Sequence, residues 1–125
     1  MKYYSTNKKA PIADLHKAVV KGLAEDRGLY MPEIIKKLSQ DFFDNIEKLS
    51  FQEIAYKVAD AFFGEDVDAE SLKKIVYDTL AFDCPVVEVE PNIYSLELFH
   101  GPTLAFKDMN ARFMARLLQY FVRQE

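Results

Sequence analysis

The sequence predicts an α+β fold that is mainly helical: a small helical amino-terminal domain with a short β-hairpin or strand pair, followed by the first helix of a truncated α/β unit. Three observations carry this. Apolar residues recur at three- and four-residue steps over most of the chain, as one face of a helix requires. Two β-branched runs meet at Pro91-Asn92, a pairing signal for strands. The last segment, from Leu104 to Arg123, is amphipathic and reaches Gln124-Glu125 with no glycine or other stop signal, so a cut chain is expected.

The elements follow in order. Tyr3 and Tyr4 beside Thr6 point to a short strand within Lys2 to Asn7. Ile12, Leu15, Ala18, Val19 and Leu23 make a helical stripe, with Pro11 where a first turn tolerates it, so a helix is expected from Ile12 to Ala24. Gly28 breaks the pattern, and Leu29-Tyr30-Met31 before Pro32 reads as an extended piece. Short helical patterns follow at Pro32 to Lys37 and at Gln40 to Lys48. Ser50 with Glu53 three positions on can satisfy each other's backbone donors, and the stripe Ile54, Ala55, Val58, Phe62 then runs to Gly64. Asp68 is placed to cap a further helix with Leu72, Ile75, Val76, Thr79 and Leu80 on one side. Strands are expected at Pro85 to Glu90 and Ile93 to Phe99.

Composition narrows the function. Half the residues are apolar and 29% are charged, which suits one soluble domain with a modest core, yet 125 residues is short for a fold that must also enclose a small molecule. A net charge of -4 with scattered lysines and arginines argues against nucleic acid, and no apolar run nears the roughly 18 residues of a spanning helix. The single Cys84 and a start without a secretory pattern make the cytoplasm the expected compartment. His16 and Cys84 have no companions at metal-ligand spacing, so no metal site is expected. The tyrosines and phenylalanines lack basic interleaving and read as core residues.

On the last helix, a step of about 100° per residue puts Asn110, Met114, Leu118, Phe121 and Val122 within about 60° of Lys107. Arg112, Arg116 and Arg123 fall roughly opposite and read as the solvated face. A lysine on an apolar face near a helix start is disfavoured as an ammonium by desolvation and by the positive end of the helix dipole. A neutral amine there is what attack on an aldehyde carbon requires. The competing reading is that Lys107 extends its stem past the helix end to water.

The neighbouring residues weigh against that competitor. The run Ser95-Leu96-Glu97-Leu98-Phe99-His100-Gly101-Pro102-Thr103-Leu104-Ala105-Phe106-Lys107-Asp108 resembles the cofactor-lysine segment of threonine synthases. Pro102-Thr103 and Phe106-Lys107-Asp108 also match the looser pattern of fold-type II pyridoxal enzymes. Upstream, Gly22 to Glu33 is similar to the glycine-leucine-tyrosine-proline signature of microbial threonine synthases. The resemblance implies a pyridoxal-phosphate lyase that converts O-phosphohomoserine and water into threonine and phosphate, with Lys107 as the Schiff-base and acid-base lysine. It implies an amino-terminal domain at residues 1–90 and the opening of the truncated α/β cofactor domain at 91–125.

His100, Thr103 and Asp108 are candidates for the substrate pocket. Asp108 is also a candidate to orient Lys107, and each of the three has a plainer role: a hydrogen-bonded turn histidine, a helix cap and a favourable charge at a helix start. The four glycines are not clustered, so the loop that would cradle the cofactor phosphate is expected downstream. The chain alone is therefore expected to be inactive and to bind pyridoxal phosphate weakly or not at all. The apolar face of the last helix is expected to need a cover, with self-association as one way to supply it. Two alternatives remain: a non-catalytic module for contacts between domains or subunits, and a piece of another fold-type II lyase, against which residues 22–33 argue.

Overall fold

The computed structural model describes residues 1–123 and has the mainly helical α+β architecture expected. Strand β1 (Tyr3–Ser5) pairs antiparallel with β2 (Tyr30–Pro32) in the register Tyr3 to Pro32 and Ser5 to Tyr30. Helix α1 runs only from Leu15 to Lys21, shorter than the expected Ile12 to Ala24. The difference has a hydrogen-bond cause. Ala13 is extended and exchanges backbone bonds of 2.8 and 2.9 Å with Tyr3, so the helix cannot begin until the Asp14 carboxylate caps Lys17 N at 2.8 Å. It stops at Gly22, whose φ of 72° suits a residue without a Cβ.

The helical turn expected at Pro32 to Lys37 does not form. Pro32 belongs to β2, and Glu33 N donates to Lys2 O at 2.9 Å, which prolongs the strand pairing instead. Helix α2 (Gln40–Asp44) and one 3-10 turn (Ile46–Lys48) occupy the next helical pattern. Helix α3 (Phe51–Phe63) has the complete capping box between Ser50 and Glu53, and α4 (Ala69–Thr79) starts on the Asp68 cap, both as the sequence requires. Strands β3 (Val86–Glu90) and β4 (Ile93–Leu96) form a hairpin with an irregularity between Glu88 and Glu90 and Asn92 at φ 65° in the turn. Helix α5 (Asp108–Val122) closes the described chain.

The core lies where α4 packs against α3 and α5, and α5 against α1. Leu72 is completely buried and shares one core cluster with Leu15, Val67, Val76, Leu117 and Phe121. The carboxyl end of α4 is held from both sides. Gln52 Nε2 donates to Leu80 O at 3.0 Å, while Arg112 donates to Asp78 O at 2.7 Å and Thr79 O at 3.2 Å. These bonds satisfy carbonyls that a helix end leaves without partners. They also contradict the expected solvated role of Arg112, which is half-buried; only Arg123 of the three arginines is exposed.

Candidate active site around Lys107

Between β4 and α5 the backbone is irregular but tightly bonded. Glu97 N donates to Pro85 O at 2.9 Å, Leu104 N to Gly101 O at 3.0 Å and Asp108 N to Ala105 O at 3.1 Å, giving two successive turns before the helix. Helix α5 therefore starts at Asp108, not at Leu104, and Lys107 occupies the cap position with φ -65° and ψ -17°. Leu104 sits at φ 55°, a left-handed conformation that a leucine adopts only when its surroundings impose it.

Asp108 imposes much of that geometry. It is 4% exposed, and both carboxylate oxygens accept from one residue: Oδ1 from the Thr103 hydroxyl at 2.7 Å and Oδ2 from Thr103 N at 2.9 Å. The Thr103 hydroxyl bond, against the effect of burial and with help from the backbone donors and Arg112, holds the Asp108 carboxyl below the usual carboxylate range. Gly101 packs directly on it. A Cβ at position 101 would lie 2.6 Å from Asp108 Oδ2 and 2.9 Å from its Cβ, so this turn has no room for a side chain.

The structure thus brings Thr103 and Asp108 together and uses each on the other. His100 is placed differently. Its Nε2 is 2.6 Å from Glu97 Oε2, and its ring stacks on Phe99 with centroids 4.6 Å apart. Glu97 and Gly101 were named only as part of the Ser95 to Asp108 run, and Arg112 only as a solvated residue. The three-residue spacing of Glu97 and His100 was a usable signal, whereas the contact of Gly101 with Asp108 has no periodic trace.

Lys107 is exposed, and so are Leu104 and Phe106 beside it, at 76% and 70%. The apolar face that the helical count assigns to Lys107 is therefore the uncovered one, as expected of a face that needs a cover. The stripe that Lys107 shares with Asn110, Met114, Leu118 and Val122 faces out, and of the expected set only Phe121 is buried. The buried stripe is a neighbouring one, Met109, Phe113, Leu117, Tyr120 and Phe121, turned toward the core. Helix α5 carries apolar residues on both stripes. Among the described residues no group of three or more histidine, cysteine or acidic side chains is placed to hold a metal, and no helix is long and apolar enough to cross a membrane.

Comparison with known proteins places the whole chain. A family model described as the threonine synthase N terminus matches residues 2–80. Threonine synthase of Escherichia coli strain K12 is 38% identical over 120 residues, covering 96% of this chain and 28% of that protein. The Saccharomyces cerevisiae threonine synthase is 35% identical over 134 residues, covering 98% of this chain and 26% of that protein. The crystal structure of the Escherichia coli enzyme superposes with a TM-score of 0.90, covering 98% of this chain and 28% of that one, at 38% identity. The X-ray structure of PLP-bound threonine synthase from Brucella melitensis gives 0.93 at 36% identity, covering 99% of this chain and 28% of that one. The chain spans little more than a quarter of the length of these relatives.

Proposed function

Since the chain belongs to the threonine synthase family, matching its amino-terminal part, we propose that it supplies the cofactor lysine, Lys107, of an enzyme converting O-phosphohomoserine and water into threonine and phosphate. The observation that carries this reading is the segment Glu97 to Asp108, which presents one exposed primary amine at the start of α5 on a backbone clamped by a buried carboxylate. The relatives' names and the cofactor named for the Brucella melitensis structure support it.

Pyridoxal phosphate asks a protein for an amine, a set of donors for its phosphate and a partner for its ring nitrogen. The described residues fit the first demand. Lys107 Nζ is open to an aldehyde carbon, and its backbone is fixed on both sides, by Asp108 N to Ala105 O and by Ala111 N to Lys107 O at 2.9 Å. Four unclustered glycines offer no phosphate cradle, so the other two demands fall to residues outside this segment. When bound, the cofactor ring accepts the electron pair left when a proton departs from a substrate carbon beside the nitrogen. Lys107 Nζ would hold the cofactor and would also be the group placed to take and return protons at those carbons. The net change takes phosphate from the γ-carbon, which gains a proton and ends as methyl, and replaces one β-hydrogen with the hydroxyl of water.

Residues 1–90 form the amino-terminal domain in this reading, and residues 91–125 open the cofactor domain. Helix α5 serves both. Its inner stripe is buried against α1 and α4, and its outer stripe, with the exposed Val86, Val89, Ile93 and Leu96 of the hairpin, is an apolar face for the remaining three-quarters of the enzyme to cover. The test is a hybrid in which this chain replaces the matching 120 residues of the Escherichia coli enzyme. We expect the folded hybrid to release phosphate from O-phosphohomoserine and restore growth of a threonine auxotroph, and Lys107→Ala to abolish both. A folded Lys107→Ala hybrid that still makes threonine would defeat the proposal.

A further inference from the structure

We infer that Asp108 is a positioning residue, whose buried carboxylate sets the course of the 101–107 backbone and so fixes where Lys107 leaves the fold. The inference rests on the reading of Lys107 given above and replaces the expectation that Thr103 and Asp108 line the substrate pocket. Among the described residues Asp108 is the only charged residue in the buried class. A buried carboxylate is costly unless it accepts hydrogen bonds, and here each oxygen accepts one from Thr103, with the Ala105 backbone also lowering its charge cost.

The bonds from Asp108 to Thr103 close a ring of chain that contains Lys107. Inside that ring lies Leu104 at φ 55°, a conformation costing on the order of what one such contact can hold in place. Gly101 seals the outside, with its Cα hydrogen where any Cβ would strike the carboxylate. One turn along, Arg112 ties α5 to the carbonyl end of α4 and draws on the same carboxylate electrostatically. The lysine is thereby referenced to the helical core through Asp108 and Arg112, although its own side chain is exposed. The geometry also ranks substitutions. Asparagine keeps the shape and can fill both bonds once the Thr103 hydroxyl reverses, alanine fills neither, and glutamate is one methylene too long for the space against Gly101.

The test uses the 125-residue chain, with NMR readouts at single residues. In Asp108→Ala we expect Thr103 amide exchange at least tenfold faster, and the Lys107 backbone order parameter to fall from about 0.85, typical of rigid backbone, to below about 0.6. Asp108→Asn should recover most of both and Asp108→Glu neither. Ile75→Val, which loosens the core elsewhere, should lower the melting temperature and leave Thr103 and Lys107 unchanged. Unchanged exchange and order at Thr103 and Lys107 in Asp108→Ala would overturn the inference. So would equal effects in Ile75→Val, because the loop would then be reporting global stability. Failure of the functional reading looks different: Lys107→Ala would keep threonine synthesis in the hybrid while the clamp measurements stood.

Discussion

Asp26 performs for the amino-terminal loops what Asp108 performs for the Lys107 turn. Its Oδ1 accepts from Ser5 Oγ at 2.5 Å and Gly28 N at 3.0 Å, and its Oδ2 from Lys9 N and Ala10 N, each at 2.9 Å. The Ser5 hydroxyl and these backbone donors bring the Asp26 carboxyl down to about 2. The sign of the linkage follows. An unfolded aspartate titrates near 3.9, so the stabilisation is complete above about pH 4 and is lost as pH falls through about 2. Asp68, Asp78, Asp108 and Glu53 are shifted the same way by their own bonds, so the whole chain should weaken in acid. We expect Asp26→Asn to melt lower than the parent at pH 7 and to lose less on going from pH 4 to pH 2, measured by circular dichroism. An unaltered slope would remove Asp26 from the account. Gly28 belongs to the same unit, because a Cβ there would lie 2.9 Å from Asn7 N and collide with Ser5 Oγ. The sequence showed Gly28 as a break between elements. The reason for a glycine is a contact across more than twenty residues, which no local pattern displays.

At the scale of elements, the features written in neighbouring residues were legible. The Ser50 and Glu53 box, the Asp68 cap and the Pro91-Asn92 turn each form within a few positions of chain, and each appears where the spacing puts it. Features decided by distant partners were not. The Ala13 pairing with Tyr3 shortened α1, the Glu33 bond to Lys2 kept residues 32–37 out of a helix, and the Asp108 clamp delayed α5 by four residues. The two stripes of α5 show the same limit. Periodicity detects both, but only the packing of α1 and α4 decides which is inside. The choice has a measurable consequence. Leu117 is 2% exposed and Met114 is 52% exposed. Leu117→Ala should cost about 2–5 kcal/mol in urea unfolding of this chain, whereas Met114→Ala should stay within about 0.5 kcal/mol. Comparable losses at the two positions would mean that the buried face has been assigned wrongly.

For the molecule as a whole, the arrangement is consistent with the proposal that this chain contributes one side chain, Lys107, to a chemistry completed by the rest of a larger enzyme. Its core is built from α1, α3, α4 and the inner face of α5, and the start of that last helix carries Lys107 on a clamped turn. The outer apolar stripe and the exposed hairpin lie on elements that flank the same turn. Lys107 is proposed from its sequence neighbours, and the apolar stripe it shares is exposed in this chain, so the desolvation argued for its amine applies only once that stripe is covered. Any water-poor surroundings for its amine must come from the larger fold that the relatives possess. Such surroundings matter because a desolvated amine is more readily neutral and nucleophilic.

Locating the covalent bond tests this most directly. The hybrid enzyme, loaded with pyridoxal phosphate, would be reduced with borohydride, digested and analysed by mass spectrometry for the lysine that carries the pyridoxyl group. The account predicts one modified peptide, with the group on Lys107 in stoichiometric amount. A stoichiometric label on any other lysine, with Lys107 unmodified, would contradict it.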